Sequence, residues 1–321
     1  MKHFGKTVAL CGLILAVWLF VRDNPDAILS LLRIAGPGLI LASLVHVLPM
    51  LLNAHAWRLL FPADGRPVFA TMMRMVWIRE AVNGLLPVAR VGGEIVAYRM
   101  LRRVGIGRSP AVAGVTVEVA LSIVSQLAFA LIGLAFLYLG SATTILAKMA
   151  FALLLLAIAV GLLIALQNAG LTEKVMQILN RLAAGRFEEV VGHSAQIDRA
   201  VRAVYRRHAA VAGCLLWLLA GWLAGAAEIW AALWALGHPI GLVDAVIIES
   251  AIQAVSSAAF LVPGALGVQE AAFLLIGAAV GLDPVTAMAL ATARRIRDGL
   301  VLLPGLVSWQ LAESRALRRA P

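Results

Sequence analysis

The chain has 321 residues, of which 62% are hydrophobic and 14% are charged, and its mean hydropathy is +0.93. Soluble domains carry about 45–50% apolar and about 25% charged residues, so this composition excludes a soluble enzyme and indicates an all-α polytopic membrane protein. The two cysteines, Cys11 and Cys214, lie in apolar runs, which excludes a disulfide framework and a cysteine metal site. The net charge of +10 resides beside apolar segments, so it indicates membrane topology rather than nucleic-acid binding.

Six apolar segments are long enough to cross a membrane as helices, because a hydrocarbon core of about 30 Å requires about 20 residues per helix. The first lacks a small-residue cleavage site, so it is expected to remain as an uncleaved anchor. The predicted full spans are residues 4–21, 37–60, 111–139, 145–166, 209–236 and 284–307.

Two further stretches, residues 68–108 and 243–282, are apolar but interrupted by charged residues, prolines and glycines. They are predicted to form broken or re-entrant helical hairpins, whose exposed backbone is tolerated at membrane depth only inside protein or beside a wet cavity. The segments LPVARVGGE and VPGALGVQE each place a proline seven residues before a glutamate, at Pro87 and Glu94 and at Pro263 and Glu270.

This spacing predicts an internal repeat, with copies at about residues 68–139 and 243–307 of a single transmembrane domain, 1–321. Three predicted spans separate the broken stretches 68–108 and 243–282, so the second stretch would enter from the opposite side, as in transporters with inverted repeats. The alternative is that two unrelated helices carry coincidental Pro/Gly kinks.

Basic residues orient the chain, because cytoplasmic loops hold the excess of lysine and arginine. Arginines cluster after the first broken stretch and again in residues 167–208, so both regions and both termini are predicted to be cytoplasmic. In the 167–208 loop, apolar residues such as Ile197 and Val201 recur at helical spacing. This pattern predicts amphipathic helices that lie on the anionic inner leaflet or, alternatively, pack on a core of their own.

The last span contains Arg294, Arg295 and Arg297 near its middle. Ionisable side chains within spans are rare and usually face a partner or a cavity, so these arginines need counter-charges. We expect Arg294 to pair with Asp298 at i, i+4 and a remaining guanidinium to grip an anionic headgroup. The alternative is a helix that ends before Arg294. The intramembrane acids available as partners are Glu94, Glu118, Glu228, Glu249 and Glu270.

Other polar positions allow two readings. Glu249 and Gln253 share a helical face and are predicted either to line a pathway or to form interhelical hydrogen bonds. His46 shares a face with Asn53 near Pro49, which favours a kink stabilised by polar neighbours over a ligand site. Gly221 and Gly225 form a GxxxG helix-packing motif.

Several segments together resemble the flippase-like transmembrane region of bacterial lysylphosphatidylglycerol synthases. They are AWRLL, NGLLPVARVGGEIVAYRML, VPGALGVQEAAF and the arginine-rich final span before LPGL. The RRIRD run followed by LPGL and WQ is most similar to the branch associated with hopanoid biosynthesis. The residues that match the family motifs are Asn83, Pro87, Gly92, Gly93, Glu94, Pro263, Gly264, Gly267, Gln269, Glu270 and Arg295.

The resemblance implies a broken-helix membrane fold that binds or moves lipids. The chain lacks the soluble aminoacyl-transferring domain of the synthases, so lipid aminoacylation is not expected. It also has Val119 after Glu118, where many relatives carry arginine, which puts a local Glu–Arg pair at that position in doubt.

The expected function is therefore lipid translocation across the bacterial cytoplasmic membrane, linked to hopanoid or other lipid biosynthesis. No P-loop, GxSxG or HExxH motif occurs, so an enzyme, a metal or a cofactor is not expected. The expected partners are lipids with an anionic headgroup and lipid-biosynthesis enzymes. The alternatives are an intramembrane lipid-modifying enzyme with Glu94 or Glu270 as general base, and a scaffold that recruits cytosolic enzymes through the 167–208 loop.

In the leading hypothesis the two broken helices meet near the midplane, and Glu94 and Glu270 balance charge or exchange protons. The predicted headgroup and pathway residues are Asn83, Glu94, Glu118, Glu249, Gln269, Glu270, Arg294, Arg295 and Arg297. The predicted hinges of the broken helices are Pro87, Gly92, Gly93, Pro263, Gly264 and Gly267.

Overall fold

The computed structural model describes residues 18, 21, 25–86, 91–139, 194–259 and 262–318. Four sequence predictions fall wholly or mainly outside these residues: the hinge Pro87, span 145–166, nearly all of span 4–21 and residues 167–193 of the amphipathic loop.

The described residues form helices joined by short turns, with no strand among them. The helices are α1 (Pro25–Val45), α2 (Val47–Leu59), α3 (Phe69–Leu85), α4 (Gly92–Arg103), α5 (Arg108–Leu139), α6 (Ser194–Tyr205), α7 (His208–Ala235), α8 (Leu242–Ala258), α9 (Val268–Ala279), α10 (Pro284–Arg297) and α11 (Leu303–Arg318). A π-helical turn, Asp298–Leu302, joins α10 to α11.

Within the described ranges, three helical segments are long and apolar enough to cross a membrane: Pro25–Leu59, Arg108–Leu139 and His208–Ala235. They agree with the predicted spans 37–60, 111–139 and 209–236. The first begins earlier than predicted, at Pro25, because the chain is already helical before a kink at Gly36, where φ is 27°. The total of six full spans stays a prediction.

Both stretches that were predicted to be broken are interrupted in the structure. Helix α3 ends at Leu85 and α4 begins only at Gly92, while α8 ends at Ala258 and α9 begins at Val268. How these breaks lie in a bilayer, and whether the halves are related by inverted symmetry, stay predictions.

Helix α7 lies between two apolar cores and packs against α1, α2, α5 and α8. One core surrounds the fully buried Trp57 of α2 and includes residues of α3, α5 and α6. The other contains Ile229 of α7 and Phe273 of α9. The GxxxG pair serves helix packing: a Cβ on Gly221 would lie 2.8 Å from Asn53 Oδ1, and one on Gly225 would lie 3.3 Å from Glu249 Oε1.

The described end of the predicted amphipathic loop packs on the protein itself. Ile197 and Val201 of α6 are buried in the same core as residues of α5, and α6 makes most of its interhelical contacts with α5. The apolar face of this helix is therefore covered by α5, and neither by the leaflet nor by a core of the loop's own.

Candidate functional site

The helix that follows the first break, α4, begins against the end of α3. The Gly93 N–H donates a hydrogen bond to Asn83 Oδ1 at 2.8 Å, which satisfies one of the amide groups that a helix start leaves free. A Cβ on Gly93 would lie 2.6 Å from the carbonyl oxygen of Arg79 and 2.6 Å from Asn83 Nδ2. Glycine at this position therefore permits the close approach of the two helices.

A buried ion pair ties α3 to α5 beside this break. Arg79 donates from Nη1 and Nη2 to the two carboxylate oxygens of Glu118, at 2.5 and 2.9 Å. Glu94 Oε2 lies 3.7 Å from Arg79 Nη1, and Asn83 Nδ2 donates to Glu94 Oε1 at 3.3 Å. The guanidinium also lies over the Trp57 ring at 5.0 Å. One arginine thus neutralises part of the charge of two carboxylates.

At the second break, glycines take backbone conformations that other residues rarely adopt. Gly264 has φ 60° in a 3₁₀ turn that spans Pro263–Ala265, and Gly267 has φ 77° at the start of α9. Positive φ values cost little for glycine because it has no Cβ. The Gly267 N–H donates to Glu270 Oε2 at 2.7 Å, so the carboxylate caps its own helix.

Arg295 of α10 binds directly to the second break. Its Nε donates to Glu270 Oε1 at 2.7 Å and its Nη1 donates to the Gly264 carbonyl at 2.8 Å, while Asp298 Oδ2 lies 3.6 Å from Nη1. A Cβ on Gly264 would lie 3.4 Å from the carbonyl oxygen of Gly84 in α3. The two broken stretches therefore meet, and Arg295 lies at their junction.

Arg294 forms a second, more deeply buried pair between α8 and α10. Its Nη2 donates to Glu249 Oε1 at 2.8 Å, and the two side chains are 4% and 2% exposed. Gln253 Nε2 donates to the same oxygen at 2.7 Å. Arg294 Nε and Nη1, together with Glu249 Oε2, are buried without a hydrogen-bond partner among the described residues. The site therefore retains unused donors and an unused acceptor.

Arg297 joins a third group of charges, which includes His46 at the junction of α1 and α2. Arg297 Nε lies 3.3 Å from Glu228 Oε1 and 3.2 Å from Asp298 Oδ1. The His46 ring approaches both Arg297 and Glu228 within hydrogen-bond distance, and Glu80 of α3 lies 3.5 Å from the ring. The π-helical turn begins directly after this group, and such turns are frequent at functional sites.

A small cavity lies between α1, α7 and α10. Its lining combines the apolar Leu39 and Leu290 with Glu228, Arg294 and Arg297. Over the described ranges, no group of three histidine, cysteine, aspartate or glutamate side chains is placed to hold a metal ion. The cavity therefore presents guanidinium and carboxylate groups rather than a metal-binding set.

The structure gives each of the three arginines at the end of α10 a glutamate: Glu249 for Arg294, Glu270 for Arg295 and Glu228 for Arg297. The alternative in which the helix ends before Arg294 is wrong, because α10 continues to Arg297. Gln269 lies on a separate contact, donating to Ser256 Oγ at 3.1 Å.

Two predicted pairings are corrected. Asp298 contacts Arg295 and Arg297 rather than pairing with Arg294, because Arg294 is directed towards α8 instead of along its own helix. Glu94 and Glu118, which were candidate partners for the last span, contact Arg79 instead. Glu118 thus has an arginine partner despite Val119, supplied by another helix.

Sequence reasoning missed three members of these groups: His46, Arg79 and Glu80. Arg79 and Glu80 interrupt an apolar stretch, and this is the signal that identifies buried charge. His46 was assigned to a kink, and it does lie at a helix junction, but its ring is also bound by charged groups from three other helices.

Comparison with known proteins identifies one family. The family model for the lysylphosphatidylglycerol synthase TM region matches residues 7–305. No curated protein and no solved structure matches the chain.

Proposed function

Because the chain belongs to the family of the lysylphosphatidylglycerol synthase TM region, which consists of membrane proteins related to lipid metabolism, we propose that it moves lipids between the leaflets of the bacterial cytoplasmic membrane. We place both termini in the cytoplasm, because exposed arginines cluster around the turn from α4 to α5. These are Arg99, Arg102, Arg103 and Arg108.

The observation that carries this proposal is the position of Arg295 between the two breaks. It holds Glu270 and the Gly264 carbonyl, yet its Nη2 is buried without a partner among the described residues. The side chain of Arg295 is 24% exposed, whereas that of Arg294 is 4% exposed, so Arg295 lies closer to the surface of the protein. A planar guanidinium with a free N–H suits the oxygens of a phosphate.

In this mechanism the junction of the two breaks opens, and the headgroup phosphate then binds Arg295 Nη2 and competes with Glu270 for the remaining donors. The displaced carboxylate keeps its hydrogen bond from the Gly267 N–H at the positive end of a helix, which lowers the cost of losing the arginine. Release of the Gly264 carbonyl frees the second break to shift against α3. The lipid would then face the opposite leaflet.

The buried pairs Arg79–Glu118 and Arg294–Glu249 favour a mechanism in which each half of the protein moves as a rigid body. Each joins the helix before a break to the helix two elements later, so each half would move as one body around its break. Alternating access in transporters with broken helices follows this pattern.

We propose a phosphate-bearing anionic lipid as substrate, and the resemblance of the last span to the hopanoid-associated branch makes hopanoid-containing membranes a first condition to test. Purified protein in liposomes with labelled phosphatidylglycerol is exposed to dithionite, which bleaches only the outer leaflet. We expect bleaching of labelled phosphatidylglycerol beyond the outer-leaflet fraction. For a labelled neutral glycolipid that lacks phosphate, bleaching should stop at the outer-leaflet fraction. Protein-free liposomes are the control.

The same preparation separates the two rival functions. An intramembrane enzyme would yield a lipid of changed mass, so mass spectrometry of the recovered lipids with no new species argues against it. A scaffold would leave bleaching at the outer-leaflet fraction and would lose function in cells when residues 167–208 are deleted. Bleaching equal to that of protein-free liposomes for every lipid would contradict the translocation proposal.

A further inference from the structure

The His46 ring lies between charged groups from three other helices. Its Nδ1 is 2.8 Å from Glu228 Oε2 in α7. Its Nε2 is 2.7 Å from Arg297 Nη1 in α10 and 3.5 Å from Glu80 Oε2 in α3. Arg297 Nη1 also lies 2.8 Å from Nδ1, so the guanidinium faces the ring edge that carries both nitrogens.

These contacts fit a neutral ring with one defined tautomer. A carboxylate only accepts and a guanidinium only donates, so Nδ1 carries the hydrogen and donates it to Glu228. Arg297 Nη1 lies against both ring nitrogens, and in this tautomer only Nε2 keeps a lone pair that can accept from it. Glu80, whose Oε2 lies 3.5 Å from Nε2, receives no hydrogen bond from Nε2 in this tautomer.

The charges around the ring do not balance in this state. Two carboxylates, Glu80 and Glu228, face the ring against one guanidinium, Arg297, so the group carries one net negative charge when the histidine is neutral. Asp298 beside Arg297 adds a further carboxylate. Arg294 does not offset these charges, because it is paired with Glu249. One added proton would cancel the charge of the inner group.

From this arrangement we infer that His46 Nε2 is the binding site of a coupling proton, and that its occupation exchanges Arg297 for Glu80 as the partner of the ring. This inference rests on the proposed function, for which it names the coupling ion. A proton on Nε2 removes the lone pair that Arg297 requires, places two cations side by side, and supplies a donor to the Glu80 carboxylate. Arg297, which lines the cavity beside Arg294, then loses its contact with the ring.

The exposure of the groups gives the proton a route. Glu80 is 26% exposed, whereas His46 is 15% and Glu228 is 6% exposed, so Glu80 is the outermost acceptor. A proton would arrive at the Glu80 carboxylate and pass to Nε2, which leaves the carboxylate ionised to accept the new hydrogen bond. His46 also lies at the junction of α1 and α2, where a change of partner can alter the angle between them.

The test uses the dithionite assay with full-length protein, the outside pH held constant and the lumen made about one pH unit more acidic or more basic. One unit is a tenfold ratio of proton activity, so we expect the wild-type rate under either gradient to differ by up to about tenfold from the rate at equal pH on the two sides. In His46→Gln the amide still donates to Glu228 and accepts from Arg297 but takes no proton, so its rate should be the same under both gradients. Glu80→Gln should reduce the gradient dependence as well.

His55→Gln is the matched control, because His55 lies on α2, the helix that begins directly after His46, and packs against the Trp217 ring at 4.8 Å; it should keep the wild-type response. Thermal unfolding of every variant confirms folding. Translocation by the wild type that ignores the gradient, or a gradient response that survives in His46→Gln, would overturn proton coupling while leaving translocation intact. Absence of translocation in the wild type would instead contradict the proposed function and, with it, the coupling.

Discussion

Glu94 and Glu270 occupy the same position relative to the two breaks: each is the third residue of the helix that restarts the chain, α4 at Gly92 and α9 at Val268. Each also approaches an arginine, Glu94 at 3.7 Å from Arg79 and Glu270 at 2.7 Å from Arg295. A carboxylate in the first turn is stabilised by the helix dipole. The breaks are thus built alike, although their arginines come from different elements.

The two buried ion pairs place their charges in opposite order along the chain. In the first, the arginine lies before the break and the glutamate after it, as Arg79 and Glu118. In the second, the glutamate lies before and the arginine after, as Glu249 and Arg294. Each pair joins the helix before its break to the second helix after it, α3 to α5 and α8 to α10, so either order of charges can hold a half together.

Removal of one member of a buried pair should cost far more stability than removal of an exposed one. Glu118→Gln leaves the buried Arg79 without its bidentate partner, and we expect the free energy of unfolding to fall by about 3–5 kcal/mol. The measurement is denaturant unfolding in detergent.

The matched control is Glu313→Gln, which breaks a pair with Arg103 whose side chains are 33% and 43% exposed. This change should cost at most about 1 kcal/mol. Equal losses in the two variants would show that the buried pair does not hold α3 to α5.

The first break should not tolerate a side chain at Gly93. A Cβ there would lie 2.6 Å from backbone and side-chain atoms of α3, so we expect Gly93→Ala to lower the free energy of unfolding by about 1–3 kcal/mol through overpacking and to slow translocation. Gly299→Ala serves for comparison, because a Cβ on Gly299 meets no atom within 4 Å. A Gly93→Ala protein as stable and active as Gly299→Ala would refute the close approach.

The start of α10 should contribute stability that depends on pH. Partial burial acts to raise the pKa of Asp283, but hydrogen bonds from the Thr286 hydroxyl and from the N–H groups of Thr286 and Val285 outweigh it and lower the pKa below its ordinary value. A lowered folded pKa means that the stabilisation is complete above the unfolded value and is lost as the pH falls through the folded one.

At neutral pH, Asp283→Ala should therefore lower the free energy of unfolding by about 1 kcal/mol, and the difference from wild type should shrink as the pH falls below about 3.9. Asp283→Asn keeps a cap that does not titrate, so its stability relative to Asp283→Ala should stay constant across the same range. If the difference in the free energy of unfolding between wild type and Asp283→Ala does not change with pH, the cap is not charged.

Local patterns predicted the breaks but could not predict the partners of the charges. The Pro-to-Glu spacing located Glu94 and Glu270 because helix interruptions depend on prolines and glycines close in sequence. The partner of Glu118 could not be found in this way, since Arg79 reaches it from a different helix and only the packing of α3 on α5 brings them together. The pairing of Arg294 with Glu249 rather than with Asp298 has the same cause.

His46 shows why a single polar residue in an apolar segment is difficult to interpret. Its neighbours Pro49 and Asn53 favoured a local kink, and the helix is indeed interrupted at His46. Its three charged partners lie on α3, α7 and α10, which no spacing along α2 could indicate.

The most direct test of the account compares dithionite bleaching of labelled phosphatidylglycerol for wild type, Arg295→Ala, Glu270→Gln and the exposed control Arg103→Ala, all reconstituted at equal density. We predict bleaching beyond the outer-leaflet fraction for wild type and Arg103→Ala, and bleaching at the protein-free level for Arg295→Ala and Glu270→Gln. Thermal unfolding should show that each variant is folded. Wild-type rates in both site variants would contradict a headgroup path through the junction of the two breaks.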